Sequence, residues 1–170
     1  MSALDSVIKA VNKKYKCELI GKSNVKTRNY PIVPFVSPSL TYLFHGGMPR
    51  TVVELSGVPS AGKSSLSYSI CGQAQKQLKK EYEDEVASLE ALEKPKKEQV
   101  ERLAYLKDRG YQKVAYLDSE FSTNNEWLEK NGVDVDDLIF IAPENQTAEQ
   151  LFEIILQMIA SDGIGCFVLD

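Results

Sequence analysis

The chain has 170 residues, enough for one domain with a core of its own, and 43% hydrophobic and 26% charged residues are ordinary for a globular protein. A net charge of −4 excludes an overall basic field, so nucleic-acid binding would need a local patch or a part beyond these residues. Cys17, Cys71 and Cys166 lack metal-ligand spacing and suit a reducing compartment, and with no signal peptide or bilayer-length apolar run a cytoplasmic protein without a membrane partner is expected.

Leu4, Val7, Ile8, Val11 and Tyr15 recur at helical spacing, with Lys9, Lys13, Lys14 and Lys16 on the other side. This predicts a short amphipathic helix, which either packs on its own domain or docks on a neighbouring subunit. The polar, basic stretch Gly21 to Tyr30 reads as a linker. Residues 1–30 are therefore set apart from a core at 31–170. Pro31, Pro34 and Pro38 punctuate an extended region that runs into Leu40-Thr41-Tyr42-Leu43-Phe44 and a turn at His45-Gly46-Gly47-Met48-Pro49. His45, the single histidine, is expected to be a turn residue.

Next comes Gly57-Val58-Pro59-Ser60-Ala61-Gly62-Lys63-Ser64-Ser65, which fits the phosphate-binding pattern G-x-x-x-x-G-K-[ST] at every fixed position. Thr51-Val52-Val53-Glu54-Leu55 before it is β-branched and reads as a buried strand, and Ser64 to Ile70 after it can open a helix. Gly57 and Gly62 let the backbone curl so that successive N–H groups form an anion nest. The helix aims its positive end at the same point. Lys63 would neutralise the β- and γ-phosphates and the Ser64 hydroxyl would ligate Mg²⁺. The loop is read as a nucleoside triphosphate site.

A long helical pattern then runs to about Lys94, with Leu78, Tyr82, Val86, Leu89 and Leu92 as a narrow apolar stripe. Pro95 breaks it, and Val100, Leu103 and Leu106 continue a second helix to Gly110, a C-cap. The result is a charged helical hairpin over about 79–109, either self-packed and solvated or in contact with a partner. Short strands are predicted at Val114 to Leu117, Leu138 to Ile141 and Cys166 to Leu169, with helices at about Asn124 to Asn131 and Ala148 to Ser161. This alternation predicts an α/β fold, a parallel sheet with helices on both faces.

Two acidic sites follow strands, where open α/β sheets bind ligands. Asp170 directly follows Cys166-Phe167-Val168-Leu169, as expected for the Mg²⁺-side partner of a phosphate loop. The other is Asp118-Ser119-Glu120. Glu120 has two open readings: a carboxylate that orients and deprotonates water, or a strand-end group capping the next turn.

From about Ser37 to Asp170 the chain resembles the RecA family of ATP-dependent DNA strand-exchange recombinases, and within it the phage UvsX-like branch. The resemblance rests on the order of Gly46-Gly47-Met48-Pro49, Val53-Glu54-Leu55-Ser56-Gly57, the phosphate loop, Tyr116-Leu117-Asp118-Ser119-Glu120-Phe121, Asn131-Gly132-Val133-Asp134 and Phe167-Val168-Leu169-Asp170. It implies a RecA-like P-loop NTPase core, incomplete at the C-terminus, with ATP and Mg²⁺ as cofactors. Lys63 and Ser64 match the phosphate lysine and the Mg²⁺ hydroxyl, Glu120 the water-activating carboxylate, and Asp170 the strand-end Mg²⁺-side aspartate. Trp127 falls where the family has an aromatic residue on adenine, and Asn124 where a polar side chain meets the base; Trp127 reads equally as a packed helix residue. The N-terminal helix matches the family's subunit-docking arm in place.

The resemblance further implies single-stranded DNA as partner, self-association into filaments, and DNA-dependent ATP hydrolysis by the complete protein. Because the family's domain continues past the position of Asp170, the chain is expected to be its N-terminal part. A split gene with a second polypeptide supplying the C-terminal half, a truncation, or a self-splicing insert would each account for that. Alone, the chain is expected to be inactive and aggregation-prone. Two alternatives stay open: a RecA-fold hexameric helicase or regulatory ATPase, and a non-enzymatic interaction fragment.

Overall fold

The computed structural model describes residues 3–15 and 32–170; Cys17 and the expected linker at Gly21 to Tyr30 lie outside them. The chain divides into two compact units, the first ending at Pro31 and the second running Ile32–Asp170. In the first, α1 (Ala3–Tyr15) carries Asp5 in its first turn and Lys13 and Lys14 in its last, charges that complement the helix dipole. Leu4 and Val7 on it are exposed.

The second unit is organised by a parallel sheet of three strands in the order β4-β3-β5. These are β3 (Lys113–Leu117), β4 (Leu138–Ile141) and β5 (Ile164–Leu169). Tyr116 stands opposite Phe140 on one side and Val168 on the other. The expected strands are thus present, with β3 and β5 starting slightly earlier than the apolar runs suggest. Val114 and Tyr116 share a core with Tyr68, Cys71, Ala74 and Leu78 of α3 (Lys63–Glu90). Ala115 and Leu117, which alternate to the other face, are fully buried too, as a central parallel strand requires. Burial pushes the Cys71 and Cys166 thiols up, so both stay neutral and serve as small apolar side chains. With α3 on β3 and β5 and with α6 (Ala148–Ala160) on β5, the fold is the expected α/β sheet flanked by helices.

Two residues lock α3 to the turn after α5 (Asn125–Lys130). A Cβ on Gly72 would meet the Gly132 carbonyl oxygen at 2.4 Å, so glycine is required for the helix to approach this closely. Three residues on, the buried Gln75 amide both donates to the Asp134 carbonyl (2.8 Å) and accepts from its N–H (2.9 Å). The Asn131-Gly132-Val133-Asp134 motif is therefore a docking turn for α3.

Beyond Leu78, α3 has no buried residue and forms the predicted hairpin with α4 (Lys97–Arg109). Pro95 lies in the connection, and Gly110 ends α4 with φ 74°. Arg102 donates two bonds to Glu85 (2.8 and 3.2 Å), and Lys107 pairs with Glu90 at 2.6 Å. At the base, Tyr105, Arg109 and Gln112 converge on Asp162, tying α4 to the α6–β5 turn.

Two expectations fail. Leu40 to Leu43 is not extended but belongs to a helix, α2 (Pro38–Leu43), because Ser37 caps it by accepting from the Leu40 N–H and Pro38 presets its first turn. After it, His45 (φ 51°) does sit in the turn that leads to the antiparallel pair β1 (Ile32–Val33) and β2 (Met48–Pro49). The second correction is larger. Thr51 to Leu55 is not a buried strand: it has no ladder partner among the described residues, and Val52 is 98% exposed. β-branched residues favour an extended chain, but a strand exists only where a neighbour takes its backbone hydrogen bonds.

Candidate nucleotide site

The phosphate loop leaves Leu55 and turns into α3 through two left-handed residues, Ser60 (φ 61°) and Gly62 (φ 87°). Gly62 contributes the expected curl; Ser60, rather than Gly57, supplies the other reversed position. Gly62 is also the N-cap of α3, and no side chain caps that end. Its first-turn N–H groups are left for an anion, where the helix dipole adds to their pull. Lys63 Nζ lies back over the loop, donating to the Gly57 and Val58 carbonyl oxygens at 3.2 Å each.

Residues 59–65 line a cleft of about 460 Å³ together with Glu120 and Asp170. The two acidic residues picked from strand ends thus meet the loop in space. A larger surface hollow of about 560 Å³, next to α2, is lined by Phe35, Val36, Pro38, Thr41, Tyr42, His45 and Gly46 and offers neither lysine nor carboxylate. The smaller cleft is the one that brings a lysine and a helix N-terminus together with two carboxylates.

The position of Glu120 depends on Asp118, a residue not singled out for this role from the sequence. Asp118 is 2% exposed and accepts the backbone N–H groups of Glu120 (3.1 Å), Ser122 (3.5 Å) and Thr123 (2.9 Å). These bonds wrap the chain tightly enough to hold Phe121 at φ 53°, a left-handed setting that costs about 1–2 kcal/mol for a residue with a Cβ. The Tyr68 hydroxyl of α3 bonds the Thr123 hydroxyl at 3.0 Å and pins the far side of the turn. A polar residue buried directly after an apolar strand, with Ser and Thr following, was the available signal for an Asx-type turn.

Burial pushes the Asp118 carboxyl up, but the N–H groups and the Thr123 hydroxyl outweigh it and hold the group below the usual carboxylate range. A lowered folded-state pKa gives stability that is present above the unfolded value of about 3.9 and lost as pH falls through the folded one. Asp118→Asn keeps the shape but has one acceptor oxygen for two sets of donors. We expect it to cost about 1–3 kcal/mol at neutral pH and to flatten the loss of stability below about pH 4, as read by thermal melts across pH 3–7.

Asp170 is fixed from three directions. Its N–H donates to the Leu117 carbonyl (3.0 Å), and its own carbonyl accepts from the Ser119 N–H (2.9 Å) and hydroxyl (2.6 Å). The third contact is from the Tyr116 hydroxyl, which donates to Oδ2. Asn124, the N-cap of α5, and Trp127, within the helix, lie outside the cleft lining. Asn124 Oδ1 caps the helix by accepting from the Trp127 N–H (2.8 Å), and the half-exposed Trp127 ring lies under Lys130 Nζ at 5.7 Å.

No protein-family model matches the chain. Against Protein RecA of Streptomyces coelicolor it is 28% identical over 172 aligned residues, 99% of this chain and 36% of that protein. The chain is similar to RecA. Protein RecA of Streptomyces venezuelae is 30% identical over 126 residues, which cover 74% of this chain and 24% of that protein. For Protein RecA of Pseudomonas fluorescens strain SBW25 the values are 29%, 74% and 26%. The chain spans about a third of the length of the Streptomyces coelicolor RecA it matches. No helix among the described residues is long and apolar enough to cross a membrane.

Proposed function

We propose that this chain is the ATP-binding, N-terminal part of a RecA-family recombinase, one that assembles into filaments on single-stranded DNA. The similarities to RecA support membership of the family, and the ordered motif set favours its UvsX-like phage branch. The observation that carries the reading is the single cleft in which the phosphate loop, Glu120 and Asp170 meet.

The cleft fits ATP and Mg²⁺. The α3 N-terminus, uncapped by any side chain, is free to take phosphate oxygens, and Lys63 at the loop mouth would pair with the β- and γ-phosphates. No cluster of three or more His, Cys, Asp or Glu side chains suited to a metal exists among the described residues. Ser64 and Asp170 would instead share the ion with phosphate and water, which suits Mg²⁺. When bound, Mg²⁺ would supply charge neutralisation at the phosphate oxygens. Glu120 orients a water and takes its proton, Trp127 stacks on adenine and Asn124 contacts the base. In the filament α1 docks on the neighbouring subunit.

The test is ATP hydrolysis by the whole protein with and without single-stranded DNA. We expect hydrolysis to rise with DNA and to fall by about 10²–10⁴-fold in Glu120→Gln. ATP should also quench the fluorescence of Trp127, the one tryptophan. A rate indifferent to DNA would sink the recombinase reading and leave the ATP site standing.

A further inference from the structure

Tyr116 is an odd residue for its place. It sits near the C-terminal end of the central strand, fully buried, where the rest of Val114-Ala115-Tyr116-Leu117 is aliphatic. A buried tyrosine needs a partner for its hydroxyl, and this one reaches along the α3 face of the sheet to the Asp170 carboxylate. The ring is held on two sides, by Tyr68 at 5.4 Å and by Phe140 at 6.1 Å, the latter stacked within 3°. It therefore presents its hydroxyl from a fixed point.

We propose that Tyr116 is a positioning residue for the Mg²⁺ site, its hydroxyl holding Asp170 Oδ2 so that Oδ1 is presented to the cleft. The inference rests on the ATP–Mg²⁺ reading given above. An aspartate at a strand end otherwise turns about its first side-chain torsion among staggered wells. The backbone bonds from Ser119 and to Leu117 fix where Asp170 begins, but they do not fix which way its carboxylate faces. The tyrosine does. A phenylalanine would fill the same volume and leave the carboxylate free to turn.

The test is Tyr116→Phe in the whole protein, with ATP binding measured by calorimetry across a Mg²⁺ titration and again with Mg²⁺ chelated. The expected result is a rise of about 10-fold or more in the Mg²⁺ concentration at half-effect, the usual consequence of losing an outer-shell partner. ATP affinity without Mg²⁺ should stay as it was. Asp170→Asn should raise the Mg²⁺ requirement likewise, and adding Tyr116→Phe to it should cause no further rise. An unchanged Mg²⁺ half-effect in Tyr116→Phe, or an added rise in the double variant, overturns the inference. A purely structural tyrosine would instead lower the melting temperature and weaken ATP binding equally with and without Mg²⁺. Lys63→Ala separates the two layers. If it leaves ATP affinity intact, the nucleotide reading falls and this inference with it; if it abolishes binding while Tyr116→Phe leaves the Mg²⁺ half-effect unchanged, the inference alone falls.

Discussion

Lys63→Ala should reduce ATP affinity on the order of 100-fold, with the fold intact. Lys63 is the single cation among the residues lining the cleft, and it faces two carboxylates, Glu120 and Asp170. Removing it leaves a phosphate chain to enter a net-negative site with only backbone N–H groups to receive it. A charge-assisted hydrogen bond contributes about 1.5–3 kcal/mol, and 1.4 kcal/mol is tenfold in affinity; the upper end, for a cation meeting a multiply charged phosphate chain, gives about 100-fold. Among the described residues Lys63 makes no side-chain ion pair and bonds only the Gly57 and Val58 carbonyls, so the melting temperature should change little. Calorimetric titration beside a thermal melt would decide. Unchanged affinity would mean that the loop does not bind triphosphate, whatever its pattern.

Gly72→Ala should act the other way, on the fold and not on the ligand. Alanine is the better helix former by about 1 kcal/mol, so an exposed site would gain from the change. Here the new methyl meets Gly132 O at 2.4 Å, Gly132 C at 2.6 Å and Val133 N at 3.1 Å. All three are backbone atoms and cannot swing aside. Making room means moving the turn, which breaks the paired bonds between Gln75 and Asp134. Overpacking of this kind costs about 1–3 kcal/mol; adding the two lost bonds, at about 0.5–1.5 kcal/mol each, leaves a clear net loss. At about 2–4 °C per kcal/mol for a chain of this size, the melting temperature should drop by several degrees. A rise on Gly72→Ala would show that the turn is free to shift.

Much of this was legible in the chain because the signals are local. The phosphate loop carries its own geometry, and β3, β4 and β5 are short apolar runs between turn residues. The hairpin is announced by Pro95 and Gly110. What escaped depends on partners distant in sequence. Thr51 to Leu55 has the residues of a strand but no neighbour among the described residues, and nothing within five residues reveals that. Leu40 to Leu43 was decided by a cap lying just outside the apolar stretch, at Ser37. Tyr116 and Asp118 read as strand filler and one more acid, since their roles appear only when β3, β5 and the loop at Glu120 come together. Gly72 and Gln75 drew no reading from the sequence, because their purpose lies in a turn some sixty positions on.

Helix α3 has a mechanical consequence. It runs 28 residues, about 42 Å at 1.5 Å per residue. One end is the floor of the phosphate cleft and the other is the tip of the hairpin, and no proline interrupts it. Its one glycine is clamped against Gly132 rather than left as a hinge. The sheet grips only the first half. The rest is a cantilever braced by α4 through Glu85–Arg102 and Glu90–Lys107. Whatever takes hold of the hairpin tip is therefore joined in series, through one stiff rod, to the turn that carries Lys63.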